Sequence, residues 1–396
     1  MAQIAVLERK CTGCSLCVKS CPFGAIGLKE GKAELNAACK VCGICLKTCP
    51  KKAILRLETK VESVDKSQWR DILVFAEVSG GRLHPVSLEL IGKARELAAN
   101  VPGFTVKAVL AGDGVACHAQ ELRHYGISEV AVYDDPALSY FRADAFAACV
   151  ADTIKALKPS VVLVGATSLG RSLAPRLATR VHTGLTADCT RLELRENTDL
   201  VQIRPAFGGN IMAQIVTSNT RPQFATVRYK VMDAPVRQAE AHGEIILRQT
   251  PRDALTSPVT HVSTVPVPAG KSISDTEILV VGGRGLQKEA DLALLKELAG
   301  LLGGDWAVSR PLVEKGWAPN HRQIGLSGRT VRPKLILTCG VSGAIQFTSC
   351  MNASEHIIAI NTDPDAPIFN VAHIAIVGDL YAIVTGLTTK LKEGKA

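Results

Sequence analysis

Between Cys11 and Pro50 the chain runs twice through one cysteine spacing: Cys11-x2-Cys14-x2-Cys17-x3-Cys21-Pro22, then Cys39-x2-Cys42-x2-Cys45-x3-Cys49-Pro50. Three thiolates spaced so closely can wrap one small inorganic core, and two such loops supply the eight ligands of two [4Fe–4S] clusters. A disulfide framework would need an oxidising compartment, and Met1 to Lys10 lacks the apolar stretch of a secretory signal. Zinc sites show pairs of cysteines rather than a triple followed by Cys-Pro. Gly13 and Gly43 allow the backbone to curl toward a cluster. Ile4, Val6, Ile26, Leu28, Ile54 and Leu57 are expected to form the apolar shell that keeps water away.

Residues 1–58 resemble a two-cluster bacterial ferredoxin. In such runs the cysteine before proline ligates the cluster of the other run. The resemblance therefore assigns Cys11, Cys14, Cys17 and Cys49 to one cluster, and Cys39, Cys42, Cys45 and Cys21 to the second. The other five cysteines, Cys117, Cys149, Cys189, Cys339 and Cys350, stand singly and read mostly as small buried hydrophobes of a reducing cytoplasm.

A chain of 396 residues with 47% hydrophobic content can build further cores. No run of about 18 apolar residues occurs, so no membrane span is expected. The net charge is +9. Eleven Lys/Arg against four Asp/Glu fall within residues 1–60, a formal +7 that can steer acidic partners. Nucleic acid is excluded as the partner: aromatic content is only 4%, no binding motif occurs, and the lysines interleave with acids.

Residues 58–68 are polar and read as a linker. From Asp71, short apolar runs alternate with helical periodicity: strands at 72–77, 106–111, 129–133 and 161–164, helices at 87–100 and 143–157. This predicts a parallel sheet covered on both faces. Runs at 191–194, 201–204, 213–216 and 225–228 leave no room for helices and predict antiparallel strands. Residues 249–274 carry four prolines and read as an extended linker, not a core element. A second parallel unit follows, with strands at 278–281, 306–308, 335–338, 357–360 and 374–377 and a helix at 286–302. Its strands end in small or polar turns, which a doubly wound sheet collects at one nucleotide-binding edge. Gly283-Arg284-Gly285 is a poor dinucleotide fingerprint, because the third glycine and the later acid are missing. Ser342-Gly343 offers a strand-to-helix turn for a pyrophosphate. Arg284 and Arg310 add charge, and Asn361 and Asp379 can bond a ribose or an adenine edge.

Residues 71–396 resemble the alpha subunit of electron-transfer flavoproteins. The resemblance rests on Gly282 to Leu286, Gly340 to Gln346 and Ala359 to Phe369, with Gly165-Ala166-Thr167, Arg171 and Arg221 to Arg228 upstream. It implies FAD held by the last domain and a beta subunit that completes a heterodimer. Carried over by motif, Arg284 reaches the phosphate region, and Ser309 and Arg310 reach the flavin ring. Ile324, Gly325, Leu326 and Ser327 form the loop at the ring edge. Ser342, Gly343, Ala344, Ile345, Gln346 and Phe347 cradle the ring side and pyrophosphate. Asn361, Asp379 and Leu380 hold the adenosine half. Leu326 and Phe347 replace a Gln and a His usual in plain carriers, which removes two hydrogen-bond donors near the ring. The fused ferredoxin is similar to that of anaerobic variants serving acyl-CoA reductases or lactate-type dehydrogenases, some of which bifurcate electrons.

The fold class read from the sequence is α/β. A small α+β ferredoxin-like domain (1–60) is followed by two α/β domains with parallel sheets (69–248 and 275–396), joined by a linker (249–274), the last doubly wound and FAD-binding. The function read from it is an electron-carrier subunit with FAD and two [4Fe–4S] clusters, working with a beta subunit, a dehydrogenase or reductase, and soluble ferredoxin. The alternative is an autonomous flavin- and iron–sulfur-dependent oxidoreductase acting on an organic substrate. That requires an acid or base over the flavin, and no motif supplies one: His84, His118, His124, His182, His356 and His373 are isolated.

Overall fold

The computed structural model describes residues 2–58, 64–206, 211–251, 255–265 and 272–394. The chain divides into two compact units, Met1–Val64 and Asp65–Ala396.

In the first unit, β1 (Ala2–Val6), α1 (Leu16–Lys19), β2 (Ile26–Lys29), β3 (Lys32–Leu35), α2 (Ile44–Thr48) and β4 (Ile54–Glu58) follow in order. β1 pairs antiparallel with β4, bringing Val6 opposite Ile54, and β2 pairs antiparallel with β3. Cys17, Ile26, Ala33, Cys45 and Ile54 form the core. Leu28 and Leu57 do not belong to the buried shell the sequence predicts: they are 45% and 47% exposed. Leu57 alternates onto the uncovered face of its two-stranded ribbon, whereas Leu28 shares a face with Ile26 and stays partly exposed at the edge of a cysteine-lined cavity. The duplication is visible in the backbone. Gly13 and Val41 occupy one equivalent position and Ser15 and Gly43 the next, all four at positive φ. Each loop thus has one glycine at a left-handed position, and Val41 holds a strained one because the loop geometry requires it.

The second unit contains two parallel sheets. Its first half comprises β5 (Arg70–Phe75), a hairpin of β6 (Val78–Ser79) and β7 (Arg82–Leu83), α3 (Pro85–Ala99), β8 (Val106–Gly112), α4 (Ala116–Leu122), β9 (Glu129–Asp134), α5 (Ala143–Leu157), β10 (Pro159–Gly165) and α6 (Ser168–Arg180). β11 (Leu185–Cys189), β12 (Arg191–Leu194), β13 (Leu200–Ala206), β14 (Ile211–Val216), β15 (Gln223–Val227) and β16 (Glu244–Leu247) complete it. The sheet order is β11-β15-β10-β5-β8-β9-β16, parallel throughout. Every residue of β10 and β15 is buried, as strands covered on both faces must be. α3 starts where Pro85 presets φ and His84 Nδ1 accepts the Val86 N–H at 3.2 Å. β12, β13 and β14 form a separate antiparallel sheet.

Two expectations change here. The run at 225–228 is not antiparallel: β15 lies parallel between β10 and β11, and the β12–β14 meander replaces a helix as the crossover. The linker at 249–274 is partly core, because Leu255 packs on the first half and Ile273 is 1% exposed within the second. Residues 59–63 of the first linker, and Pro266 and Pro268 of the second, lie outside the described residues.

The last half comprises β17 (Ile278–Gly282), α7 (Leu292–Leu301), β18 (Asp305–Ser309), α8 (Arg310–Glu314), β19 (Gln323–Ile324), β20 (Leu335–Cys339), α9 (Ile345–Thr348), β21 (His356–Asn361), β22 (Ile374–Val377) and α10 (Leu380–Glu393). Its sheet order, β19-β18-β17-β20-β21-β22, is the doubly wound arrangement. The helix predicted from Leu286 begins only at Leu292. The intervening residues form a turn, fixed where the Gly285 N–H bonds Gly340 O and where Asp291 accepts from Tyr381 and the Lys288 N–H. Among the described residues, no helix is long and apolar enough to cross a membrane.

Candidate cofactor sites

In the first unit the helices and turns place the eight cysteines around two small cavities. One is lined by Cys11, Cys14, Cys17 and Cys49, with Leu28, Ala33, Ala53 and Ile54 among the walls. The other is lined by Cys21, Cys39, Cys42 and Cys45, with Ile4, Ala25, Ile26 and Ile44. The antiparallel closure of β1 on β4 carries the second run back to the first and makes this exchange possible. Backbone N–H groups already point at sulfur: Ala33 to Cys11, Ala25 to Cys21 and Ala53 to Cys49, each at 3.3 Å. The Ala33 N–H, then that of Gly13, holds the Cys11 thiol below its ordinary value, whereas burial raises Cys17 and Cys45. Among the described residues no three His, Cys, Asp or Glu side chains converge closely enough for a single metal ion. A cubane spreads its four ligands around several iron atoms, so sulfur lining a cavity fits a cluster better than one ion.

The second site lies at the carboxyl edge of the last sheet. β17 and β20 are neighbours there, yet the chain leaves β17 toward β18 and returns to β20 on its other side. The turns after these two strands therefore diverge and open a crevice. Glycine allows them to touch at its floor: a Cβ on Gly283 would lie 2.3 Å from Gly340 O, and Gly340 itself sits at φ +64°. The cleft has a volume of about 570 Å³. Arg284, Ser309, Arg310, Ile324, Gly325, Leu326, Ser327, Ser342, Ala344, Gln346 and Phe347 line it, together with Pro311, Glu314, Gln323 and Val341.

Five predicted residues are elsewhere. Gly343, at φ +87°, packs its bare Cα against Ile368, and Ile345 is 40% exposed at the start of α9. Asn361 donates to Val341 O at 2.9 Å and accepts the Asp363 N–H at 3.0 Å. Asp379 caps α10 through the Ala382 N–H, and Leu380 is buried. Asn361, Asp379 and Leu380 share the strand-end edge with the cleft but do not line it.

Sequence reasoning missed three residues of consequence. Glu314 pairs with Arg310 at 2.8 Å across one helical turn, and both side chains are more than half exposed. Gln323 Nε2 donates to Ser327 Oγ at 2.8 Å. Arg228, from the end of the first sheet, donates to Leu326 O at 2.6 Å and fixes the cleft loop from behind. The signals available were the helical interval between Arg310 and Glu314 and, for Arg228, its place at the end of the Arg221–Arg228 string, which gave it no role at the cleft.

The sequence description "4Fe-4S dicluster domain" matches residues 10–54, "Electron transfer flavoprotein domain" residues 72–251, and "Electron transfer flavoprotein FAD-binding domain" residues 272–352. The chain is 51% identical to the lactate dehydrogenase (NAD(+),ferredoxin) subunit LctC of Acetobacterium woodii, over 94% of this chain and 89% of that protein. This chain belongs to the electron-transfer flavoprotein alpha-subunit family. It is 42% identical to the alpha subunit from Clostridium acetobutylicum over 83% of this chain and 99% of that one. It is 40% identical to protein FixB of Rhizobium meliloti over 81% of this chain and 92% of that one. Alpha subunits of this family pair with a beta subunit. The FAD-binding match contains every residue that lines the cleft, and the dicluster match contains all eight cysteines.

The cleft fits such a cofactor. Its walls are apolar at Ile324, Leu326, Val341 and Phe347, and Arg284 has no acidic partner among the described residues. Ligand clefts combine apolar walls with a few placed polar groups in this way.

Proposed function

We propose that this alpha subunit is a one-electron carrier in which two [4Fe–4S] clusters and one FAD serve a heterodimer with a beta subunit. FAD, when bound, supplies the exchange between one- and two-electron chemistry. The chain supplies position: Arg284 and the Val341–Ala344 turn hold the phosphates, and Ser309, Arg310 and the Ile324–Ser327 loop face the ring. Ser342, Gly343, Ala344, Ile345, Gln346 and Phe347 cradle the ring side and pyrophosphate, and Asn361, Asp379 and Leu380 take the adenosine half. Cys11, Cys14, Cys17 and Cys49 ligate one cluster, and Cys21, Cys39, Cys42 and Cys45 the other. The domains are 1–60, 69–248 and 275–396, joined at 249–274.

The observation that carries this reading is the partition of eight cysteines into two four-sulfur cavities on the same chain as the switch-point cleft. The likeness to LctC supports a lactate-type dehydrogenase as the docking partner, soluble ferredoxin as a further one, and a bifurcating complex as the setting. The compartment is the cytoplasm, where thiolate ligands stay reduced. The test is cofactor analysis of the anaerobically purified heterodimer. About eight iron and eight sulfide per alpha chain are expected, together with flavin bound to the alpha chain. About four iron would leave room for one cluster only and overturn the two-cluster reading. Iron without flavin on this chain would overturn the carrier reading.

A further inference from the structure

The first sheet has a switch point too. β5 lies between β8 and β10, and the chain departs from it in one direction and returns on the other. A crevice of about 500 Å³ opens beyond the ends of β10 and β15, with His84 from the connection that follows β5 in its wall. On one side α6 begins, with Thr167 Oγ1 accepting the Gly170 N–H at 3.0 Å. α6 approaches the strand so closely that a Cβ on Gly170 would lie 1.9 Å from Gly165 O. On the other side stand residues of the last half, Arg329 among them.

Three guanidinium groups line this crevice: Arg171, Arg228 and Arg329. Asp188 alone answers the first two, at 3.1 Å and 3.3 Å. Arg329 bonds only His321 O and Ser272 Oγ and has no carboxylate partner among the described residues. Arg228 is more than nine-tenths buried, and its Nε has no hydrogen-bond partner among the described residues. Glu77 lies beneath the floor, closed off by the Thr167 hydroxyl at 2.6 Å, and is not part of the wall. The crevice therefore holds an excess of positive charge beside a helix N-terminus, the arrangement that binds phosphate. Tyr229 and His84, edge to face at 5.2 Å, give it aromatic walls.

We propose that this crevice is a second nucleotide site, which binds a nucleoside diphosphate with its phosphates between the start of α6, Arg171 and Arg329. It is separate from the flavin cleft and does not depend on the flavin reading. Calorimetric titration of the FAD-loaded heterodimer with ADP tests it, with flavin content measured in the same samples. One ADP site per alpha chain is expected, displaced by inorganic pyrophosphate. In Arg171→Glu/Arg329→Glu that site should weaken by at least thirtyfold with flavin content unchanged. The milder Arg329→Gln, which removes the charge without reversing it, should weaken it by about tenfold, equivalent to about 1.4 kcal/mol. Arg310→Ala, in the flavin cleft, should leave ADP binding as it was. An unchanged ADP isotherm in both crevice variants, or a parent heterodimer that binds no ADP, overturns the proposal. Loss of ADP binding in Arg310→Ala alone would assign the nucleotide to the flavin cleft and overturn it equally.

Discussion

Gly283→Ala should loosen the flavin cleft without touching any side chain that lines it. The new Cβ would lie 2.3 Å from Gly340 O, 2.5 Å from Val341 Cα and 2.6 Å from Gly340 C. All three are backbone atoms, so no rotamer change can relieve the contact. Ordinary van der Waals separation would require the two strand-end turns to part by about 1 Å. The bonds Gly283 N–H to Cys339 O and Gly285 N–H to Gly340 O, both 2.9 Å, would stretch toward the limit of a hydrogen bond. Overpacking of this kind costs about 1–3 kcal/mol, and each weakened hydrogen bond adds up to about 1 kcal/mol. The same displacement separates Arg284 on one turn from Val341 and Ser342 on the other, all in the cleft wall. The heterodimer should therefore lose thermal stability and bind FAD at least tenfold more weakly, by flavin-fluorescence titration after removal of the cofactor. Gly300→Ala is the control. It lies within α7, a Cβ there meets nothing within 4 Å, and the substitution should stabilise the protein by about 0.4–1 kcal/mol. The reasoning is refuted if Gly283→Ala binds FAD like the parent and matches Gly300→Ala in stability.

Two further outcomes are expected. Cys49→Ala should damage the cluster associated with Cys11, Cys14 and Cys17 more than its neighbour, because Cys49 lines their cavity; iron analysis with spectra of the reduced protein reads this, and selective loss of the Cys39, Cys42 and Cys45 cluster would reverse the assignment. Glu89, buried beside the Lys230 N–H, has its pKa raised by burial to about 7. Between the unfolded carboxylate value and about 7, the folded state binds the extra proton, so stability falls as pH rises through that window and levels off above it. Glu89→Gln should flatten this fall, which has a limiting slope of about 1.4 kcal/mol per pH unit. Parallel thermal melts of parent and variant from pH 5 to 8 check it, and equal slopes would show that Glu89 does not carry the effect.

Local signals made part of this molecule legible. The cysteine runs specify their own loops, since each spacing fixes ligands within a few residues of one another, and their exchange follows from the short antiparallel closure of β1 on β4. The buried parallel strands announce themselves as short apolar runs. Where the reading failed, the cause lay outside the window. α6 was hidden by Pro175 in its interior and by a polar surface. β11 escaped because its burial is partial, and β15 was assigned the wrong direction because nothing local reveals that the β12–β14 meander carries the chain across. Gly283 and Gly285 resembled a phosphate fingerprint, yet their observed work is to let two turns meet.

The flavin cleft shows the same division between residue type and residue state. Arg310 reads from the sequence as a free cation facing a ring, and it does line the cleft. Its guanidinium is nevertheless paired with Glu314, so the charge it presents is largely compensated where both side chains are exposed. An exposed pair one helical turn apart is worth only about 0.3–0.5 kcal/mol. A bound anion therefore needs little energy to draw Arg310 away from Glu314, whereas Arg284, without an acidic partner among the described residues, offers its full charge from the outset. Arg228 is the opposite case. Buried and bonded to Leu326 O, it holds the cleft loop from the far side, and on the other side of the same loop Arg329 faces the second crevice. The segment from Ile324 to Arg329 is thus a common wall.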